Sequence, residues 1–278
     1  MNNRVSVTTS CRDCDVIEKH PKAGIIETEN NNKYQYMFNG VKIAWGTYHS
    51  PWMNDIITKL NGHHEPQEEL CFHYLLKTLN KEANMIELGS HWSYYSIWFN
   101  TEIERSYNLC MEPVMSNLNG GKLNSELNSC ENIEFKQGFI GNTYKKESVF
   151  NDWDGKKIKM PMYTLEKLFE LSGKDYFDIV HSDIQGAENI LLSSSKHIFN
   201  SIGYFMISTH SEKGHKQCCD MLSSNGFNII TQHTPRESFS VDGLILAINN
   251  ENKKLYDNNV GGDVVSFLSE KCAISKRK

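Results

Sequence analysis

The sequence predicts an α/β fold: a seven-stranded, mostly parallel sheet with one antiparallel strand, preceded by an N-terminal extension. Three observations predict it. From Asn84 onward, short apolar runs alternate with amphipathic stretches, as strands alternate with helices in βαβ units. The run Met85-Ile86-Glu87-Leu88 breaks at Gly89-Ser90 and resumes with Trp92, Tyr95, Ile97, Trp98 and Phe99, which reads as strand, tight turn and helix. Only ten residues, HTPRESFSVD, join the last two strand candidates. A crossover between parallel strands needs a dozen or more, so these two must be antiparallel neighbours.

Taken in order, Lys33–Ala44 reads as a hairpin turning at Asn39-Gly40. Pro51 suits a helix start, followed by Met53, Ile56, Ile57 and Leu60, and Asn61-Gly62 ends it. Glu65-Pro66-Gln67-Glu68 opens a second helix carrying Leu70, Phe72, Leu75, Leu76 and Leu79. After the strand–turn–helix at Gly89, Ser106–Glu112 is a strand, Val114–Asn128 a helix and Ile133–Phe139 the third strand. A polar insertion follows around Tyr144–Lys159. Thr164 is placed to cap a helix with Leu165, Leu168, Phe169 and Leu171, closed by Gly173. Phe177–Ser182 and Tyr204–Thr209 are strands, separated by a helix from Ala187. A helix over Lys216–Ser224, stopped by Gly226, leads to strands Phe227–Gln232 and Gly243–Ile248. The expected division is an extension and helical lid over 1–79, a cofactor-binding domain over 80–250 and a C-terminal tail over 251–278.

The chain has 278 residues, a formal net charge of −5 and a pI near 6.1. That balance argues against a dedicated nucleic-acid binder. No stretch is long and apolar enough to span a bilayer. The opening MNNRVSVTTSC has no apolar core of a secretory signal. A cytoplasmic setting is therefore expected, with eight cysteines as reduced thiols. Cys11-Arg12-Asp13-Cys14 could hold half a zinc site with His20, His63 or His64. No second C-x-x-C exists, so two ordinary thiols and no metal are expected. Lys276-Arg277-Lys278 reads as a solvated tail.

The turn at Gly89 lets a ligand approach the backbone, and the free N–H groups of the following helix favour an anionic group. A G-x-G-x-x-G dinucleotide fingerprint fails, because His91 and Tyr94 stand where its later glycines belong. A single carboxylate, such as the methionine end of S-adenosylmethionine, needs less room. Glu112, at the end of the next strand, is placed to accept both ribose hydroxyls. Asp183 and His210 end neighbouring strands at the same edge, where open α/β sheets bind ligands. There His210 suits a general base near neutral pH and Asp183 its partner. Glu188, in a first helical turn, is explained by the macrodipole alone. His181, inside its strand, reads as packing. Tyr48–Glu69 concentrates Tyr48, His49, Trp52, His63 and His64 and reads as a lid that meets the acceptor.

A mostly parallel sheet with one reversed strand is the architecture of the class I methyltransferases. Within it the chain resembles the FkbM family of S-adenosylmethionine-dependent methyltransferases, over roughly Glu65 to Ile248. Glu87-Leu88-Gly89 with Tyr95-Ser96 looks like the first cofactor motif and Glu112-Pro113 like the ribose-binding one. Pro161 to Leu168 resembles the family's V-P-x-x-x-L-D-x-L, Asp183-Ile184-Gln185-Gly186-Ala187-Glu188 its K-I-D-x-E-G-x-E, and Ser208-Thr209-His210 its E-x-H. The resemblance implies S-adenosylmethionine as cofactor. The expected cofactor site is Glu87, Gly89, Ser90, Ser96, Glu112, Pro113, Gln137, Gly138, Asp183 and Ile184. The expected acceptor site is Tyr48, His49, Trp52, His63, His64 and Gln185, with Asp183 and His210 catalytic. Ser93, Gln185 and Ser208 depart from the family's glycine, glutamate and glutamate, and the last two remove carboxylates near the acceptor.

The implied reaction is O-methylation of a sugar, glycan or small metabolite, with no nucleic-acid or membrane partner. A homodimer is one assembly the chain could form. The alternatives are a nucleic-acid or protein methyltransferase, against which stands the missing D/N-P-P-Y loop, and an inactive cofactor-binding homologue.

Overall fold

A computed structural model describes residues 2–48, 51–152, 155–251 and 263–277. The N-terminal segment runs α1 (Asn2–Thr8), β1 (Ile26–Glu29), β2 (Asn32–Tyr36), β3 (Lys42–Ala44), α2 (Pro51–Lys59) and α3 (Pro66–Leu76). The expected hairpin is β2 and β3, with β1 added as a third antiparallel strand. The alternating units follow: β4 (Asn84–Leu88), α4 (Tyr94–Glu102), β5 (Tyr107–Glu112), α5 (Met115–Leu127) and β6 (Ile133–Gln137). Next come β7 (Phe139–Ile140), β8 (Lys145–Asn151), β9 (Lys157–Tyr163) and α6 (Leu165–Ser172). The chain then forms β10 (Phe177–Ser182), α7 (Glu188–Ser195), β11 (Ile202–Thr209), α8 (Glu212–Ser223), β12 (Phe227–His233), β13 (Gly243–Asn249) and α9 (Val264–Lys271).

The main sheet has seven strands in the order β12-β13-β11-β10-β4-β5-β6, and β13 runs antiparallel to both its neighbours. This is the class I methyltransferase arrangement that the ten-residue connection predicts. Its consequence lies at the sheet edge. Gly243 pairs with Thr209, so the reversed strand begins where β10 and β11 end.

The sheet is buried on both faces, which is why its strands read as continuous apolar runs. Successive residues feed opposite cores. Met85, Ile179, Met206 and Leu246 pack with Phe38, Ile56, Phe72 and Trp98 on one face. Ile86, Val180, Phe205 and Ala247 pack with Leu191 and Leu222 on the other. The first core draws on both sides of residue 79, so the N-terminal segment is a layer of this fold rather than a separately packed unit. Thr164 caps α6, its Oγ1 accepting from Lys167 N at 3.1 Å, and Gly173 closes that helix at φ 65°.

Two expectations are corrected. The third strand stops at Gln137, and the polar insertion is instead the antiparallel hairpin β8–β9, with β7 alongside. Most β8 side chains face solvent, so the apolar alternation that marks a half-buried strand is missing. Residues 263–277 are docked rather than a free tail, although Lys276 and Arg277 remain exposed to solvent. Asp263 caps α9 by accepting from Val265 N at 3.1 Å, Leu268 and Cys272 are buried in the first core, and Lys276 pairs with Glu237 at 3.0 Å.

Candidate active site

A cleft of about 690 Å³ opens at the carboxyl ends of β4, β5 and β10. That size lies within the roughly 300–1,000 Å³ typical of small-ligand sites. Gly89, Ser90, Glu87, Glu112, Pro113, Gly138, Asp183 and Ile184 line one part of it. His64, Glu65, Glu68, Gln185 and Asp242 line another, and Phe139, Phe150 and Asn151 bring the β7 and β8 residues to its rim.

The turn after β4 is shaped by close approach. Gly89 has φ 75°, and a β-carbon there would lie 1.8 Å from the carbonyl oxygen of Asp183. Only glycine lets the ends of β4 and β10 meet, with Asp183 N donating to Leu88 O at 2.9 Å. Ser93 sits at φ 60° before α4, a left-handed position where a glycine would be at ease, and His91 is at φ 44°. The amides of this turn are already used. Gly89 N and Ser90 N donate to Met111 O at 2.8 and 3.1 Å, and Ser93 N donates to Ser90 O. His91 N donates to Glu112 at 2.9 Å. The expected free donors for an anion are therefore taken at these four positions.

Glu112 accepts from His91 N at 2.9 Å, Val114 N at 2.9 Å and Asn117 Nδ2 at 3.2 Å. A carboxylate offers about four acceptor positions. One remains, on Oε2, so Glu112 has capacity for one ligand hydroxyl rather than the two expected. Burial raises its pKa, opposed by those hydrogen bonds. Glu87 accepts from Ser96 N at 3.1 Å, and burial lifts its carboxyl to about 7. Ser96 itself is fully buried behind Glu87 and outside the cleft. Gln137 is also turned away, its amide donating to Pro113 O at 3.1 Å.

Behind the other part of the cleft, and outside its lining, His210 is surrounded by carboxylates. Its Nδ1 lies 2.8 Å from Glu188, and its Nε2 lies 3.1 Å from Asp183 and 3.3 Å from Asp242. Burial lowers its pKa, but Asp183, Glu188 and Asp242 outweigh that and carry it up to about 10. The carboxylates thus favour the imidazolium of His210, which hydrogen-bonds through Nδ1 while Nε2 makes no hydrogen bond, and a ring held this way is poorly suited to take a proton at neutral pH. Glu188 is more than a response to the helix dipole, since it holds this ring.

Three residues the sequence reading passed over shape the wall. Glu68 reaches from α3 to accept from Ser208 Oγ at 2.8 Å and to pair with His181 Nε2 at 2.7 Å. A carboxylate from α3 is thus brought to position 208 on β11. His181 Nδ1 makes no hydrogen bond and lies 4.0 Å from Glu87, so the ring stands between the two acids. Asp242, just before the reversed strand, lies against the same His210 nitrogen as Asp183. Arg4 lines the cleft with its guanidinium 4.7 Å from the Trp52 ring centre. No local motif marks these residues, because each arrives by tertiary packing.

Of the expected acceptor residues, His64 and Gln185 line the cleft. His64 is drawn down by burial but carried up to about 10 by Glu69 and Glu65. Gln185 donates to Asp183 Oδ1 at 2.7 Å. Tyr48 and His63 do not reach it. Tyr48 is buried against Gln35 and Asn54, and His63 stacks on Phe38 while bonding Glu69. Trp52 contributes through Arg4, and His49 lies outside the described residues. Cys14, His63 and Glu69 form one buried group whose polar atoms fall within 4.8 Å of one another. There Cys14 donates to Pro66 O, and Glu69 also accepts from His64 N and Glu65 N, so the carboxylate serves as a cap for α3. His20 and Cys11 are not part of that group.

No family model matches the chain, and no curated protein matches it. Solved structures do. An O-methyltransferase from Bacillus cereus in complex with SAH aligns at 13% identity and a TM-score of 0.45, over 66% of this chain and 80% of that one. TrmK of M. capricolum, with S-adenosyl-homocysteine, aligns at 12% and 0.45, over 65% and 68%. A putative tRNA methyltransferase from Streptococcus pneumoniae, in complex with S-adenosyl-L-methionine, aligns at 12% and 0.45, over 67% and 73%. Strand order and direction, rather than these distant likenesses, carry the fold.

Proposed function

We propose that the chain is an S-adenosylmethionine-dependent methyltransferase acting on a hydroxyl of a sugar, glycan or small metabolite. The observation that carries this reading is a single cleft with two chemically different parts. One holds the turn at Gly89 and the free acceptor position of Glu112, which suits a nucleoside. The other is walled by Glu65, Glu68, Asp183 and Asp242, with His210 behind the two aspartates. When bound, S-adenosylmethionine supplies a methyl group on a positively charged sulfur. The chain's own residues hold and orient. Glu112 accepts a ribose hydroxyl. Gly89 keeps the end of β4 against Asp183, so the two parts of the cleft hold a fixed spacing, as in-line displacement requires. The acidic wall accepts hydrogen bonds from acceptor hydroxyls and favours a cationic centre nearby.

The same wall weighs against nucleic acid, whose phosphates would face four carboxylates. The carboxylates missing at Gln185 and Ser208 suggest an inactive homologue. Glu68, bonded to Ser208, brings one back and supports an enzyme. The FkbM-like motifs favour sugar and polyketide-like acceptors. The test is transfer of a labelled methyl group from S-adenosylmethionine to a panel of methyl glycosides and small alcohols, with tRNA and a protein extract alongside. Label on a glycoside or alcohol oxygen is expected. Label only in tRNA or protein would replace this reading with the rival one.

A further inference from the structure

Resting on that reading, we infer that Asp242 is the group that accepts the proton of the acceptor hydroxyl. The reversed direction of β13 delivers it. Because Gly243 pairs with Thr209, the residue before it lands at the ligand-binding edge although its strand runs the other way. A β-carbon at Gly243 would lie 2.6 Å from Thr209 Oγ1 and 2.8 Å from His233 O, so this close approach fixes where Asp242 stands.

The loop before it is held from two sides. Asp242 N donates to Ser240 Oγ at 3.2 Å, and Ser240 N donates to Ser238 Oγ at 2.8 Å. Gln67 of α3 accepts from Phe239 N at 2.8 Å, and Thr8 of α1 donates to Phe239 O at 2.8 Å. A carboxylate positioned this firmly is prepared for a proton in flight.

The neighbours leave Asp242 as the free acceptor. His210, at the end of β11, is held toward its protonated form by the carboxylates around it. Asp183, at the end of β10, already accepts from Gln185 on its Oδ1. Asp242 meets His210 through Oδ1, and no protein donor among the described residues reaches its second oxygen. The charged and titratable groups facing it are Asp183, His210, Glu65, Glu68, Arg4 and His233. Burial first, then Asp183 and Glu65, lift its carboxyl to about 7, against the pull of His210 and Arg4. A base of that strength is matched to neutral pH. In the step, the acceptor O–H bond breaks and its proton goes to Asp242 Oδ2. The oxygen's electron pair forms the new C–O bond, and the S–C pair returns to sulfur, leaving a neutral thioether. Asp242 then passes its proton to water.

The test combines carbon NMR titration of protein labelled at the aspartate carboxyls with single-turnover methylation of the methyl glycoside panel. Asp242→Asn should erase a resonance titrating near neutrality and bind S-adenosylhomocysteine as the wild type does. It should also transfer methyl roughly 10²–10⁴-fold more slowly. Asp242→Glu, which restores a carboxylate, should recover part of the rate and shift the pH profile. A wild-type rate that rises through the same pKa as the erased resonance supports the assignment. Asp242→Asn within a few-fold of wild type, or keeping the wild-type pH limb, overturns it while the proposed activity stands. A wild type inert on every hydroxyl probe overturns the reading beneath it as well.

Discussion

A β-carbon at Gly89 has nowhere to go but into the Asp183 carbonyl, so Gly89→Ala should be among the more damaging single changes in the sheet. Overpacking of this kind costs about 1–3 kcal/mol, and the positive φ adds to it. Thermal unfolding should show the loss, and calorimetry should show weakened cofactor binding, because Asp183 must shift. A normal melting temperature would mean that the two strand ends are not so close. Glu112→Gln keeps shape but loses charge. With one acceptor position facing the ligand, the change should remove one charged hydrogen bond, worth about 1.5–3 kcal/mol, or roughly tenfold or more in affinity. At this scale the sequence was legible where the signal is local. Gly89 and Glu112 follow from a strand end and a turn. Glu68, Asp242 and Arg4 do not, because each enters the cleft from an element whose own pattern is unremarkable.

The carboxylate that α3 brings to β11 can be tested at the next scale. Ser208→Glu, which places a second carboxylate at this point of β11, should destabilise the fold, since Glu68 already sits within 2.8 Å of that side chain. Two buried carboxylates would compete for His181. Combining Ser208→Glu with Glu68→Ala should recover much of the loss in a double-mutant cycle, and simple additivity would argue against that competition. Elements also show where the sequence reading went astray. Tyr48 and His63 looked like acceptor contacts because aromatics and histidines crowd that stretch, yet their rings serve the core and a helix cap. The β8–β9 hairpin, by contrast, looked structureless because most of β8 faces water. Hydrogen exchange on adding S-adenosylhomocysteine should therefore protect residues 64–68 and the hairpin. Residues 53–57, whose apolar face is already buried, should hardly respond. Protection confined to 53–57 would restore the broader lid.

For the molecule as a whole, the buried charges set a pH dependence. His64 and His210 hold their protons up to about 10, whereas an unfolded histidine releases its own near 6.5. Their stabilisation is therefore complete below about pH 6.5 and is lost as pH rises through about 10. Glu87 and Asp242 are raised to about 7, so they too bind more protons folded than unfolded, and their share declines between about pH 4 and 7. Glu69 and Glu65 are lowered by the histidines they pair with, despite burial, and their contribution is lost in acid below the ordinary carboxylate range. Urea unfolding should thus show greatest stability at about pH 4–5 and a fall toward pH 10. His210→Gln should flatten part of the alkaline limb. Stability that climbs from pH 6 to 9 would contradict the charge assignments. The fold itself was legible at this scale, since seven strands, their order of appearance and the single reversal follow from run lengths and one short connection. The docked α9 and the shared core were not, because nothing local marks a terminal helix as packed rather than free.

The claim on which the rest depends is that the cleft takes S-adenosylmethionine through the Gly89 turn and Glu112. Titration calorimetry of the wild type and Glu112→Gln with S-adenosylhomocysteine, and of the wild type with NAD, tests it most directly. The account predicts saturable binding at one site per chain, weakened at least about tenfold by Glu112→Gln, with NAD much weaker. Equal affinity for NAD, or an affinity untouched by Glu112→Gln, would contradict it.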